Sequence, residues 1–258
     1  MRRLLFAVLL LFLLPGQLSL CARDRKEAIA FNDRGFELYE AGRYGEALEL
    51  FEASWRADES YIYGHYNYAC TLGVLLREDP ELWYGRRDAA FEHLKKTLEM
   101  RPAYREKMLA DRDLSELRKE FRFYALLGYD TRDRQDAAYM LVNLSWYGAP
   151  AAEVSPYTCG VDFYSDGTLQ FWFFPPARFR NPQGGALYRV NGSYRVRAGG
   201  KLEIQLSGEM DRRRTLEDIR AGTEEKEART RFGGGLESDG ELRIDLFEFP
   251  FLSVYERF

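Results

Sequence analysis

The feature that most limits how this chain can fold is a change of apolar period partway along it. Residues 28–127 carry apolar side chains at helical spacing, whereas beyond residue 150 apolar and polar positions alternate. A 3.6-residue period buries one stripe of a helix and a two-residue period buries one face of a sheet, so one element type cannot serve both halves. The expected fold class is α+β and multidomain: antiparallel α-helix pairs, then an antiparallel β-meander arranged as a sandwich or small barrel. The boundaries read as a leader at 1–22, a helical domain at 26–128, a connecting segment at 129–152 and a β domain at 153–258. With 46% apolar and 30% charged residues, the chain can bury a real core and is not of disordered composition.

In the helical half, the run from Phe31 to Ser54 follows the logic of a tight helix pair. Gly35 and Ala47, twelve apart, are small where two antiparallel helices approach closely. Leu38, Tyr39, Tyr44 and Phe51 fill the groove between them, and Gly42 supplies the turn. This run resembles one unit of the tetratricopeptide repeat (TPR) family. A second, stretched unit is visible in Ala69, Ala90, Leu94, Thr97 and Pro102. Its small positions, Ala69 and Ala90, lie twenty-one apart, which places an insertion of about nine residues at 77–86. Trp83 and Tyr84 lie in that insertion and are candidate partner contacts, with packing of Trp83 back onto the helices as the alternative.

The run Asp111-x-Asp113-Leu114-x-x-Leu117-Arg118, followed by Phe121 and Phe123, resembles a closing segment found after such repeats in bacterial proteins. It reads as a cap over the open end of the stack, with Asp111 and Asp113 as helix N-cap residues. What the family resemblance implies is a concave helical surface that recognises a peptide or a partner protein.

In the second half a turn-plus-alternation motif occurs three times. It runs from Ser165-Asp166-Gly167 into Leu169 and Phe171, from Gly199-Gly200 into Leu202 and Ile204, and from Ser238-Asp239-Gly240 into Leu242 and Ile244. Glycine at such a turn admits the positive φ that a tight hairpin needs. Strands entering from Gly160, Gly192 and Gly233 give at least six strands, with residues 247–255 as a closing one. Residues 137–147 read as a further strand or short helix, and 211–229 as a charged, helix-like stretch. The meander resembles lipocalin-like small barrels in outline.

Arg2 and Arg3 precede an apolar run at 4–14, which is too short to span a bilayer and reads as a signal peptide. Two processing sites are open. Leu18-Ser19-Leu20-Cys21 resembles a bacterial lipoprotein box with Cys21 as the lipidation candidate, and cleavage after Ala22 is the alternative. The first gives a membrane-anchored lipoprotein of the periplasm, the second a secreted chain. Cys70 and Cys159 lack metal-ligand spacing and read as buried small side chains, with a disulfide between them as the alternative in an oxidising compartment.

No catalytic motif is present in the sequence, and His65 and His93 read as polar helix positions. The mixed charges, net −4, argue against a nucleic-acid partner. The expectation is a non-enzymatic cell-envelope scaffold that contacts a protein or peptide through a short TPR groove, without cofactor or metal. A carrier of a small apolar ligand in the β domain is the alternative.

Overall fold

The computed structural model describes residues 16–148, 158–174, 188–207, 231–246 and 250–253. Residues 1–15 of the leader read at 1–22 and the charged stretch 211–229 therefore lie outside the described residues. The chain divides into two compact units after Leu117. The fold is mixed, with α-helices followed by a closed antiparallel β-barrel.

The first unit is helical: α1 (Gly16–Glu40), α2 (Tyr44–Ala57), α3 (Ile62–Glu78), α4 (Pro80–Trp83), α5 (Arg87–Met100) and α6 (Tyr104–Ala110). Helix α1 packs on α2, α2 on α3, and α3 on α5. Gly42 ends α1 at φ 73°, and two bonds close the turn, Gly42 N to Tyr39 O at 3.0 Å and Arg43 N to Leu38 O at 2.9 Å. This is a Schellman end, in which the left-handed residue lets the last carbonyls find donors. A Cβ at Gly35 would stand 2.8 Å from the Phe51 ring, so the small residue sets the close approach of α1 and α2. Ala47, Phe51, Ala69, Ala90 and Leu94 are all buried in this unit. The inserted segment is not an open loop: Pro80–Trp83 forms α4, and a 3-10 turn at Tyr84–Arg86 leads into α5.

The second unit begins at Arg118, so the aromatic end of the supposed cap does not belong to the helical stack. Helix α7 (Phe121–Leu126) is fixed to the barrel by Phe121 N, which donates to Ser253 Oγ at 2.8 Å. That N–H opens a helix and has no intrahelical acceptor, so a distant hydroxyl supplies one. Helix α8 (Arg134–Asn143) starts at Asp133, whose side chain accepts from Gln135 N and Asp136 N. Residues 137–147, read as strand or helix, are both in succession: α8 is followed by β1 (Trp146–Gly148). The barrel's first strand thus lies inside the segment read as a connection.

The remaining strands are β2 (Thr158–Phe163), β3 (Thr168–Phe174), β4 (Tyr188–Val196), β5 (Lys201–Leu206), β6 (Arg231–Leu236), β7 (Leu242–Ile244) and β8 (Phe251–Leu252). Each pairs antiparallel with the next, and β8 returns to β1 through Tyr147–Leu252 and Gly148–Phe251, which closes the barrel. The three turn motifs of the sequence join β2 to β3, β4 to β5 and β6 to β7. In each, the residue that enters the turn donates its N–H to the carbonyl four residues on: Tyr164 N to Thr168 O, Arg197 N to Lys201 O, and Glu237 N to Glu241 O. Gly167 and Gly240 take φ of 85° and 90° there. Alternation follows the period read from sequence. In β4, Val190, Tyr194 and Val196 are buried between exposed Arg189, Asn191, Ser193 and Arg195. Trp146, Phe171 and Phe251 are among the largest fully buried side chains, and Trp146 Nε1 donates to Leu141 O of α8 at 3.1 Å.

Candidate functional site

The first unit gathers its polar chemistry where α1, α3, α6 and the segment after α6 meet. Asn67 Nδ2 of α3 donates to Asn32 Oδ1 of α1 at 2.8 Å and fixes the two helix faces side by side. Ile29, Asn32 and Phe36 share a face of α1 by their i, i+3, i+7 spacing, as Tyr63 and Asn67 share one of α3 at i, i+4. Apolar side chains stand out of this surface: Ile29 is 38% exposed, Phe36 48% and Tyr63 43%.

Beside this row lies a compact polar cluster. The Tyr66 hydroxyl donates to Asp111 Oδ2 at 2.6 Å, and Cys70 Sγ lies 3.9 Å from the same oxygen. Asp111 Oδ1 accepts Asp113 N at 3.1 Å, which makes Asp111 the N-cap of the 3-10 turn at Arg112–Leu114. The capping role read from sequence is thus found at Asp111. Asp113 instead accepts from the Tyr39 hydroxyl. Burial and then the neighbouring Asp113 hold Tyr39 far above the usual phenol range, and burial does the same for Tyr66. Lys107 Nζ stands 4.2 Å from the centre of the Tyr66 ring and 5.2 Å from that of Tyr104.

Cys70, Asp111 and Asp113 bring one ligand atom each to within 4.8 Å of one another. Their bonding speaks for a structural role. Asp111 already takes protein donors on both oxygens, and burial pushes the Cys70 thiol well up, so it is held protonated. An ion here would have to share the Asp111 oxygens with those donors and displace the Cys70 proton.

The other sequence-derived positions fall as follows. Tyr39 is half-buried, with its ring 5.0 Å from that of Tyr44. Pro102 is exposed in the turn between α5 and α6. Trp83 is half-buried, with the Arg86 guanidinium 5.8 Å from its ring centre. The side chains of Tyr84 and Cys21 lie outside the described residues, though Cys21 itself falls within α1. Cys70 and Cys159 are free and buried.

What sequence reading missed is the histidines. Read as polar helix positions, His65 of α3 and His93 of α5 do lie on helices but are buried, with their Nδ1 atoms 2.7 Å apart. The apolar run from Tyr61 to Leu76 around His65 carried the only hint that this residue faces inward. Comparison with protein-family models, with curated proteins and with solved structures finds no match to this chain.

Proposed function

We propose that the first unit is a short TPR-type repeat, two helix pairs closed by the turn at Asp111, and that it binds an extended segment of a partner protein. The observation that carries this reading is the row of exposed Ile29, Phe36 and Tyr63 set beside the Asn32–Asn67 bond. Apolar groups held at the surface on rigid helices, with oriented amides between them, are what a partner's peptide needs for burial and for register. The leader, read as a signal peptide, supports export from a bacterial cell: to the envelope if Cys21 is lipidated, and as a secreted chain if cleavage falls after Ala22. Among the described residues no helix is long and apolar enough to cross a membrane. The β-barrel then offers a second contact surface. The carrier reading has less support, because Trp146, Phe171 and Phe251 occupy inward positions of the barrel where a ligand would sit.

The test is capture from a membrane extract by the full chain and by a Phe36→Ala/Tyr63→Ala variant, followed by direct titration of the captured protein. Partner binding by the wild type that the variant loses supports the proposal. Equal binding by both, or none by either, overturns it.

A further inference from the structure

The two histidines of this chain are its only ones, and they meet in the interior of the helical unit. Their surroundings are aromatic: Trp55 of α2 lies 4.7 Å from His93 and 5.8 Å from His65 between ring centres, and Tyr68 of α3 lies 4.6 Å from His93. His65 Nε2 is 2.9 Å from Glu59 O. A carbonyl can only accept, so His65 must carry its proton on Nε2. Neutral His65 then offers a lone pair at Nδ1, and His93 must donate to it from Nδ1–H. One proton arrangement satisfies both bonds in the neutral pair. It leaves His93 Nε2 as the remaining basic nitrogen.

The consequence for protonation is stepwise. A first added proton goes to His93 Nε2 and leaves the Nδ1–H···Nδ1 bond intact. A second has only His65 Nδ1 to go to, which sets two N–H groups and two positive charges against each other at a 2.7 Å separation. Hydrogen bonding between α3 and α5 at this point therefore survives one proton and fails with two.

We propose that the His65–His93 pair is an acid-sensitive clamp between α3 and α5, closed while the pair holds no more than one added proton and forced open by the second. Charged groups around it do not offset this. Lys96 of α5 stands 5.9 Å from the Trp55 ring centre and opposes protonation of both imidazoles. Arg56 of α2 lies 5.3 Å from the Trp55 ring centre, and Glu52, Arg86 and Arg56 act on Tyr68. The bond to the Glu59 carbonyl favours a charged His65 but ranks below burial, the Glu59 and Asp58 carboxylates each favour it more weakly than Lys96 opposes it, and the Asp58 carboxylate is taken by Arg25 at 2.5 Å. Burial is the leading influence on both histidines and favours the neutral form, bringing His93 down to about 4.

Below pH ~6.5 the unfolded chain holds more protons than the folded one, so stability is full above that pH and declines as pH falls towards 4. Each excess proton lowers the folded-to-unfolded ratio about tenfold per pH unit, so the pair gives up to about a hundredfold per pH unit.

The experiment uses the full chain labelled with 15N-histidine. At pH 7 the spectrum should show one Nε2–H and one Nδ1–H tautomer, and neither ring should titrate near pH 6.5. Urea unfolding followed by helical circular dichroism should lose stability between pH 7 and 5, and a His65→Gln/His93→Gln variant should not. Ordinary titration of either ring, two like tautomers, or a wild type as stable at pH 5 as at pH 7 overturns the proposal. Should the variant fail to fold, the spectrum of the wild type alone decides.

Discussion

The Tyr66 hydroxyl donates to Asp111 Oδ2 at 2.6 Å across 45 residues of sequence, tying the N-terminal part of α3 to the turn that closes the helical unit. Asp111 serves two ends at once, since its other oxygen caps Asp113 N. A hydrogen bond to a charged acceptor contributes about 1.5–3 kcal/mol, and an N-cap about 1 kcal/mol. Tyr66→Phe should therefore destabilise the helical unit by about 2 kcal/mol. Asp111→Ala should exceed it, because it removes both bonds and leaves a phenol in the interior with no acceptor. Urea unfolding by helical circular dichroism ranks the two, and a larger loss for Tyr66→Phe would contradict the shared role.

Gly35 lies against the Phe51 ring so closely that a Cβ would meet it at 2.8 Å. Gly35→Ala should cost about 1–3 kcal/mol through overpacking, despite the better helix propensity of alanine. Gly35→Ala/Phe51→Leu should recover part of that loss relative to the sum of the single changes. A strictly additive cycle would place the strain elsewhere.

How far the sequence was legible follows range of interaction. The α1–α2 turn announced itself because Gly42 and the small pair Gly35 and Ala47 act within a few turns of helix. The three hairpins did so because Asp-Gly and Gly-Gly turns fix the register of their own flanking strands. The pairing of the closing strands was obscure for the opposite reason. Strand β8 falls within residues 247–255, read as a closing strand, but β1 has three residues and β8 two, and they pair with each other only by closure of the ring. Phe121 looked like the end of the helical stack until Ser253, far along the chain, claimed its N–H. The same blindness hid the histidine pair, since no spacing links position 65 to position 93 when an insertion lies between them. At the candidate site, Tyr39 and Asp111 were legible as element-forming residues, but not their bonding to Asp113 and Tyr66.

Two buried thiols, Cys70 in the first unit and Cys159 in the second, provide separate reporters of unfolding. Burial pushes the Cys159 thiol up to about 12 and raises Cys70 as well, so neither presents a thiolate near neutral pH. In the folded chain both should resist an aqueous maleimide at pH 7 and react when urea opens their unit. Trp146→Ala should advance labelling of Cys159 to lower urea, since it empties a fully buried site and removes the bond to Leu141 O, at about 3–5 kcal/mol. Labelling at each position, read by peptide mass, would show rapid reaction of either thiol in native buffer if the burial is wrong.

The exposed row of Ile29, Phe36 and Tyr63 separates stability from recognition. Phe36 is 48% exposed, and its ring meets Tyr39 at 6.3 Å between centres. Phe36→Ala should therefore change folding stability by about 0.5 kcal/mol or less, as surface substitutions do. Tyr63 stands 5.5 Å from Tyr61 between ring centres and should behave alike. Aromatic anchors buried by a partner lose about 2 kcal/mol or more of binding on truncation, a thirtyfold weakening or greater. The paired measurement is thermal unfolding and partner titration of each single variant. Stability kept with binding lost marks a recognition surface, whereas a parallel loss of both would show that these rings serve the fold.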